Sequence, residues 1–363
     1  MLGYFVNYGT DIHISDSSRL QYRLVQAVPI IPTGIAWLAS FALSESPRWL
    51  AAKGKLTAAQ ESLARLRGCD VADPAVIEDL QHIQKQIHTR AADLERGGSL
   101  KSIIRDTFTV PSYRSRILLA WTMQAVAQWS GGQGISFYMP QIFTYAGVSS
   151  SSQSLISSGA YGVVKLVVTV VFAVALIDVF GRRPCFLLGL AMEMVAHVYL
   201  AAYLAVDPVN NKSASNAAIA AIFIYAIGWS VGLCTIEFIY ATEIFPTRIR
   251  SFAYSSTVSL HWFFQFAVVR VTPVMFVSLD VYGTFVFFAC ICAIGIVVLG
   301  LWAPETKQVP LEQMGALFER KWYNCWKAKP EAVVSEEESG MEEGWETAGT
   351  DTEKGGAVHQ EKT

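Results

Sequence analysis

A chain of 363 residues that is 52% hydrophobic, 12% aromatic and only 16% charged, with a mean hydropathy of +0.35, is too apolar for an ordinary soluble domain and has the balance of a membrane protein. Its net charge of −2 excludes a polyanion such as nucleic acid as a partner. The six cysteines form no metal-type or redox-type pair, and Cys290 and Cys292 fall inside one apolar run, so they read as small apolar fillers.

The N-terminus lacks the charged start and cleavage site of a secretory signal. Its first residues, MLGYFVNYG, read as the tail of a membrane span too short to cross alone. Seven apolar runs then approach the roughly 20 residues that cross a bilayer as a helix. They lie at 24 to 43, 117 to 138, 155 to 177, 184 to 206, 217 to 241, 252 to 277 and 281 to 303. Between the first two lies a polar stretch, 44 to 114, rich in Arg and Lys, in which LTAAQESLARLRG and VIEDLQHIQKQIHTRAADLE carry helical periodicity with Pro74 as a break.

Basic loops favour the cytoplasm, which puts this stretch inside together with GRR at 181 to 183 and PTRIR at 246 to 250. The loops 147 to 154 and 207 to 216 then face outward, the C-terminus is cytoplasmic, and Asn211-Lys212-Ser213 becomes an outward glycosylation sequon. Beyond Pro304 the chain turns polar, and from Glu331 it is acidic, Gly-rich and poor in apolar residues, the composition of a disordered tail.

Polar side chains inside apolar spans cost several kcal/mol against lipid and so face protein or an aqueous cavity. Gln124 and Gln128 are four apart on one helix face, followed by Ser130, Gln133 and Ser136 among Gly131, Gly132 and Gly134. His261 and Gln265 repeat the four-residue spacing later in the chain. Two readings stay open from spacing alone. The amides, which both donate and accept, line a cavity for a polyhydroxylated solute, or they join helices without touching a ligand. No nucleophile–base set or phosphate loop appears, so an enzyme is not expected. No cofactor is expected either, and Glu193 with His197 four residues on reads as a local polar pair that by itself argues no metal site.

Five motifs in order resemble the signatures of the sugar porter family of the major facilitator superfamily: SESPRWLAAKGK (44 to 55), QWSGGQGISFYMPQIF (128 to 143), DVFGRRP (178 to 184), YATEIFPTRIRS (240 to 251) and PETKQVPLEQM (304 to 314). YGVVK at 161 to 165 and the closing motif are most similar to fungal sugar and quinate transporters. The resemblance implies an all-α polytopic helical bundle working by alternating access. It also implies an organisation: 1–43 as the end of the N-terminal half (partial helix five and helix six), 44–114 as a cytoplasmic loop with short helices, 115–303 as the six-helix C-terminal half, and 304–363 as a cytoplasmic tail. Helices one to four have no counterpart, so the chain is expected to be N-terminally truncated, an incomplete carrier that associates with another membrane chain.

Carried over residue by residue, the family's helix-seven pattern meets Ala127, Gln128, Ser130, Gly131, Gln133, Phe137 and Tyr138, with the first glutamine lost and the asparagine lengthened. Its helix-ten Pro-Pro-Trp run becomes Thr235, Glu237 and Phe238, which keeps a ring and loses the kink-forming prolines. The resemblance thus implies Gln124, Gln128, Gln133, Tyr138, Phe238, His261, Gln265 and Lys165 as contacts for a monosaccharide or a quinate-like polyol acid. Lys165 has a second reading as a snorkelling or bundle-paired stem. Arg270 reads as an interfacial anchor, and Glu237 either titrates during transport or meets water or an arginine. Glu45, Arg48, Arg182, Arg183, Glu243, Arg248 and Glu305 fall at cytoplasmic helix ends, where the resemblance implies a gate of inter-helix ion pairs. The alternative function is a non-transporting sensor acting through its acidic tail. The expected location is the plasma membrane.

Overall fold

The computed structural model describes residues 2–14, 19–95, 99–148, 150–206, 211–307, 309, 314–318 and 322–327; the acidic stretch from Glu331 and the segment Pro310 to Gln313 lie outside them. Among the described residues every regular element is helical, and the chain divides into two compact units, Gly9–Arg105 and Met1–Tyr8 with Asp106–Thr363.

The first unit takes up the end of α1 (Leu2–His13), then α2 (Leu20–Ala27), α3 (Ile30–Ser40), α4 (Pro47–Ala52), α5 (Leu56–Arg67), α6 (Pro74–Glu95) and the start of α7 (Leu100–Thr109). The run 24 to 43, expected as one span, is divided between α2 and α3 at Val28 and Pro29. Pro29 and Pro32 each lack a backbone N–H, so neither residue can donate a helical hydrogen bond there. Pro74 opens α6 at its first turn, where the missing N–H costs nothing, and the Asp73 carboxylate accepts from Ala75 N at 2.9 Å. Leu50, Ala51 and Ala59 are buried against Leu80, Ile83 and Ile87, which joins α4, α5 and α6. Arg48 Nη2 donates to Gln86 Oε1 at 3.1 Å, Arg67 pairs with Asp79, and Ser62 Oγ donates to the Glu45 carbonyl at 2.7 Å.

The second unit runs through α8 (Pro111–Trp129), α9 (Gly132–Phe137), α10 (Met139–Tyr145), α11 (Ser151–Val171), α12 (Ile177–Phe180), α13 (Arg182–Val206), α14 (Lys212–Gly232), α15 (Ile236–Ile244), α16 (Thr247–Ser278) and α17 (Asp280–Trp302). A π-type turn at Phe172–Leu176 joins α11 to α12. Among the described residues, five helical stretches are long and apolar enough to cross a membrane: Gln153–Leu176, Arg182–Val206, Lys212–Ile244, Thr247–Ser278 and Asp280–Trp302. The run 117 to 138, read as a further span, is helical with one interruption. Trp129 ends α8, and Gly131 takes φ 106° before α9 restarts at Gly132. A side chain is strained at that φ, so glycine is what permits the break.

α13 lies between α14 and α17. Its approach to α14 is set by Gly189, whose missing Cβ would sit 2.4 Å from Gly232 Cα and 2.6 Å from the Gly228 carbonyl. The apolar core combines Phe143, Tyr161, Tyr225, Phe285 and Phe288 with small residues such as Ala196 and Ala218. Loss of the helix-ten prolines does not straighten the chain there, because a turn at Leu233–Thr235 still separates α14 from α15. At the other end of α14, Asn211 is an N-cap whose Oδ1 accepts from Ser213 N at 3.1 Å and Ala214 N at 3.3 Å.

Candidate functional site

Five of the residues singled out in the sequence meet in one place. Gln124 and Gln128 project from successive turns of α8, are fully buried, and face His261 on α16. His261 Nδ1 lies 2.8 Å from Gln124 Oε1, 3.2 Å from Gln128 Nε2 and 3.4 Å from Glu237 Oε1 on α15. The Phe238 ring sits beside it, with centroids 5.0 Å apart. The two helix breaks help to build this cluster, since α8 ends just past Gln128 and α15 begins just before Glu237.

One ring nitrogen cannot serve all three neighbours. If Nδ1 carries the proton it donates to Gln124 Oε1 and leans toward Glu237. Gln128 then satisfies it only by turning its amide so that oxygen faces the ring. If Nδ1 is bare it accepts from Gln128 Nε2, and the Gln124 amide must turn instead. In either arrangement polar capacity is left over. Gln124 Nε2, Gln128 Oε1 and Glu237 Oε2 are buried without a hydrogen-bond partner among the described residues. A buried amide or carboxylate atom left unpaired costs about 1–3 kcal/mol or more, so a ligand that supplies the partner is favoured.

A second polar cluster surrounds Lys165 on α11. Its Nζ donates to Ser136 Oγ at 3.1 Å and lies 5.1 Å from the Trp229 ring centroid and 5.8 Å from that of Tyr161. Ser136 Oγ is also 3.2 Å from the Tyr161 hydroxyl, and Tyr4 on α1 donates to the Ser136 carbonyl at 2.7 Å. The ammonium is therefore held by a hydroxyl and by aromatic faces, which attract cations without neutralising them. The sequence reading missed Trp229; the four-residue spacing of Tyr161 and Lys165 in YGVVK was the available sign of a shared face.

The remaining candidates stand apart from these two clusters. Tyr138 donates to the Val269 carbonyl at 3.1 Å and packs edge-on against Phe276, a contact that ties the end of α9 to α16. Gln133 and Gln265 are half-buried and Arg270 is exposed. An open pocket of about 330 Å³ lined by residues such as Pro140, Thr144 and Leu155 holds none of the candidates.

Four of the charges at helix ends form one network. Glu305 accepts from Arg182 N and Arg183 N, at 2.9 and 3.0 Å, which caps the N-terminus of α13. It also accepts from Thr306 N and Lys307 N at 3.0 Å each. Glu243 at the end of α15 takes the Arg182 guanidinium at 2.9 Å and the Thr306 hydroxyl at 2.6 Å, while Arg183 Nη2 donates to the Gly300 carbonyl at 2.8 Å. Gly181, at φ 87°, lets the carboxylate approach, because a Cβ there would lie 2.8 Å from Glu305 Oε2. Arg248 pairs with Asp106, which the sequence reading had not singled out. Glu45 and Arg48 belong to the other unit, where both are exposed.

The family described as "Sugar (and other) transporter" matches residues 1–318. Among curated proteins, the MFS-type transporter qa-x of Neurospora crassa is 30% identical over 336 residues, covering 88% of this chain and 60% of that protein. The quinate permease of Emericella nidulans is 30% identical over 341 residues, covering 92% of this chain and 63% of its own length. The chain thus spans somewhat over half the length of the curated relatives it matches. Among solved structures, the proton:xylose symporter XylE bound to 6-bromo-6-deoxy-D-glucose superposes with a TM-score of 0.67 at 23% identity, over 88% of this chain and 64% of that one. The inward-open form of XylE from E. coli gives 0.64 at 21% identity. These likenesses establish the fold, half of a major facilitator bundle.

Proposed function

Because the chain belongs to the sugar (and other) transporter family of the major facilitator superfamily, a family of carriers and not of enzymes, we propose that it forms one wall of a solute path working by alternating access. The solute is a monosaccharide or a quinate-like polyol acid, and the plasma membrane, with the C-terminus in the cytoplasm, is its location. The observation that carries this reading is the set of unpaired buried atoms beside His261. One amide atom on each of Gln124 and Gln128, together with Glu237 Oε2, waits for a partner. Hydroxyl groups both donate and accept, so a polyol satisfies all three, and the Phe238 ring suits the apolar face of a sugar or cyclitol.

Lys165 gives the cluster around Ser136 a charge that suits a carboxylate, which favours a polyol acid over a neutral sugar. The quinate permeases among the relatives agree with that preference. Glu237, in reach of a histidine that can take up a proton, is the group through which proton movement would couple to transport. The Arg182, Glu243, Glu305 network serves as the gate. Its half-buried ion pair stabilises whichever state keeps those helix ends together and is lost in the other.

Uptake of labelled quinate and labelled glucose into cells lacking their own carriers tests the assignment of Lys165. A charge-assisted hydrogen bond contributes about 1.5–3 kcal/mol, so Lys165→Met is expected to lower quinate uptake by about tenfold or more while glucose uptake changes much less. An equal loss for both solutes would show that Lys165 holds the bundle together and meets no anion.

A further inference from the structure

Behind the break in α8 lies a buried set of side chains that the solute reading does not use. Glu193 and His197, one turn apart on α13, face Cys292 on α17, and their donor atoms lie within 4.8 Å of one another. All three residues are 0% exposed. The Ser130 hydroxyl beside Glu193 gives its one proton to the Ala127 carbonyl at 3.0 Å, which leaves both Glu193 oxygens, like His197 Nδ1, without a hydrogen-bond partner among the described residues. The sequence reading treated the cysteine as filler and the acid and imidazole as an isolated pair; the third member was hidden because it comes from a different helix.

We propose that Glu193, His197 and Cys292 form a binding site for a divalent transition ion of the zinc class. A carboxylate, an imidazole and a thiolate are the ligand types zinc accepts, and three protein ligands with a water in the fourth position complete a tetrahedron. Donor-to-donor edges in such a site are about 3.5 Å, so rotation of these side chains by about an ångström closes the set around an ion. The surroundings fit that role. His197 Nε2 sits 2.9 Å from the Ser130 carbonyl, so its N–H is committed to the backbone and Nδ1 is left as a lone pair. That is the arrangement that orients a metal-bound histidine. The Tyr225, Phe285 and Phe288 rings pack around the imidazole at centroid distances of 5.1, 5.9 and 5.7 Å and hold its ring in place.

Charge also balances. Loading expels the Cys292 proton to water, and the carboxylate and thiolate then neutralise the two charges of the ion. Lys165, which lies within electrostatic range of Glu193, is engaged by Ser136 and aromatic faces and remains the nearby net charge. Bound metal would fasten α13 to α17 and, through the Ser130 carbonyl, fix the end of α8 on which Gln124 and Gln128 stand.

The test uses the full chain, purified in detergent in the presence of a chelator, exchanged into chelator-free buffer and titrated with Co2+. One ion per chain with a thiolate-to-cobalt charge-transfer absorption, displaced by Zn2+, is the expected result. Cys292→Ser should abolish the absorption, His197→Gln should weaken binding at least tenfold, and the exposed Cys290→Ser should leave both unchanged. Absence of the absorption in the unsubstituted chain would overturn the proposal, as would its survival in Cys292→Ser. Should Cys292→Ser not fold, a Zn2+-dependent rise in the unfolding midpoint of the unsubstituted chain that Glu193→Gln removes supports the site, and a rise that Glu193→Gln leaves intact overturns it.

Discussion

Replacing Glu305 by alanine is expected to lower the unfolding midpoint of the purified chain by about 10 °C and to free the N-terminus of α13. The carboxylate accepts four backbone N–H groups, two from α13 and two from its own turn, at 2.9 to 3.0 Å. Hydrogen bonds to a charged acceptor contribute about 1.5–3 kcal/mol each when buried, but water reaches this helix end and replaces part of that. A net loss of about 3 kcal/mol is the reasonable scale, with each kcal/mol lowering the midpoint by about 2–4 °C in a unit of this size. Glu305→Gln keeps one acceptor oxygen and its shape, so it should fall between the parent and the alanine variant. Hydrogen exchange at the Arg182 and Arg183 amides reads the same effect locally: acceleration in Glu305→Ala, and little in a variant of the half-buried Lys307 side chain, which donates to the Val179 carbonyl and not to this cap. Unchanged exchange would mean that the cap contributes nothing to the end of α13.

The second large effect is expected at Gly189. Leucine there would place its Cβ within 2.4 Å of Gly232 Cα and 2.6 Å of the Gly228 carbonyl, and those neighbours are backbone, which no rotamer change moves aside. Overpacking of a tight interface costs about 1–3 kcal/mol when side chains can adjust. Here the helices themselves must separate, so the upper end of that range or more applies. α13 carries Glu193, His197 and the Arg182 end of the ion network, so the damage spreads to each. Gly189→Leu should therefore reduce the amount of folded, detergent-stable chain several-fold, measured by size-exclusion yield. Gly300→Leu, at a glycine whose Cβ would have its nearest neighbour 3.6 Å away on the Leu187 side chain, should be tolerated. Equal yields for the two variants would show that the α13–α14 approach is not what limits the fold.

The sequence was informative where a periodic pattern and a local motif pointed the same way. The spans after residue 150 are strongly apolar and form helices close to where hydropathy places them, and Pro184 falls in the first turn of α13, where its missing N–H costs no helical hydrogen bond. It was less informative where backbone chemistry competes with hydropathy. At Pro29 and Pro32 missing donors divide an apolar run, and at Gly131 a positive φ breaks another just past Gln128. Gln124, Gln128 and His261 were visible because amides and imidazoles are rare in such runs, and helical spacing gave their faces. Their meeting with Glu237 was not visible, since it depends on how α15 leaves the turn at Leu233–Thr235. Asp106 and Cys292 escaped for the same reason. Each looks ordinary in its own stretch and gains its partner only when another helix packs beside it.

The most direct measurement of the central claim is equilibrium binding of radiolabelled quinate and glucose to the purified chain, compared with Gln128→Leu. The leucine fits an apolar bundle and removes both the amide contact to His261 and the Gln128 amide atom left without a partner. Saturable binding of at least one solute by the parent chain, weakened about tenfold or more in Gln128→Leu, is the predicted result, in keeping with loss of about 1–3 kcal/mol of buried polar contact. Equal binding by the two proteins, or no saturable binding of either solute, would contradict the assignment of this cluster as the solute site.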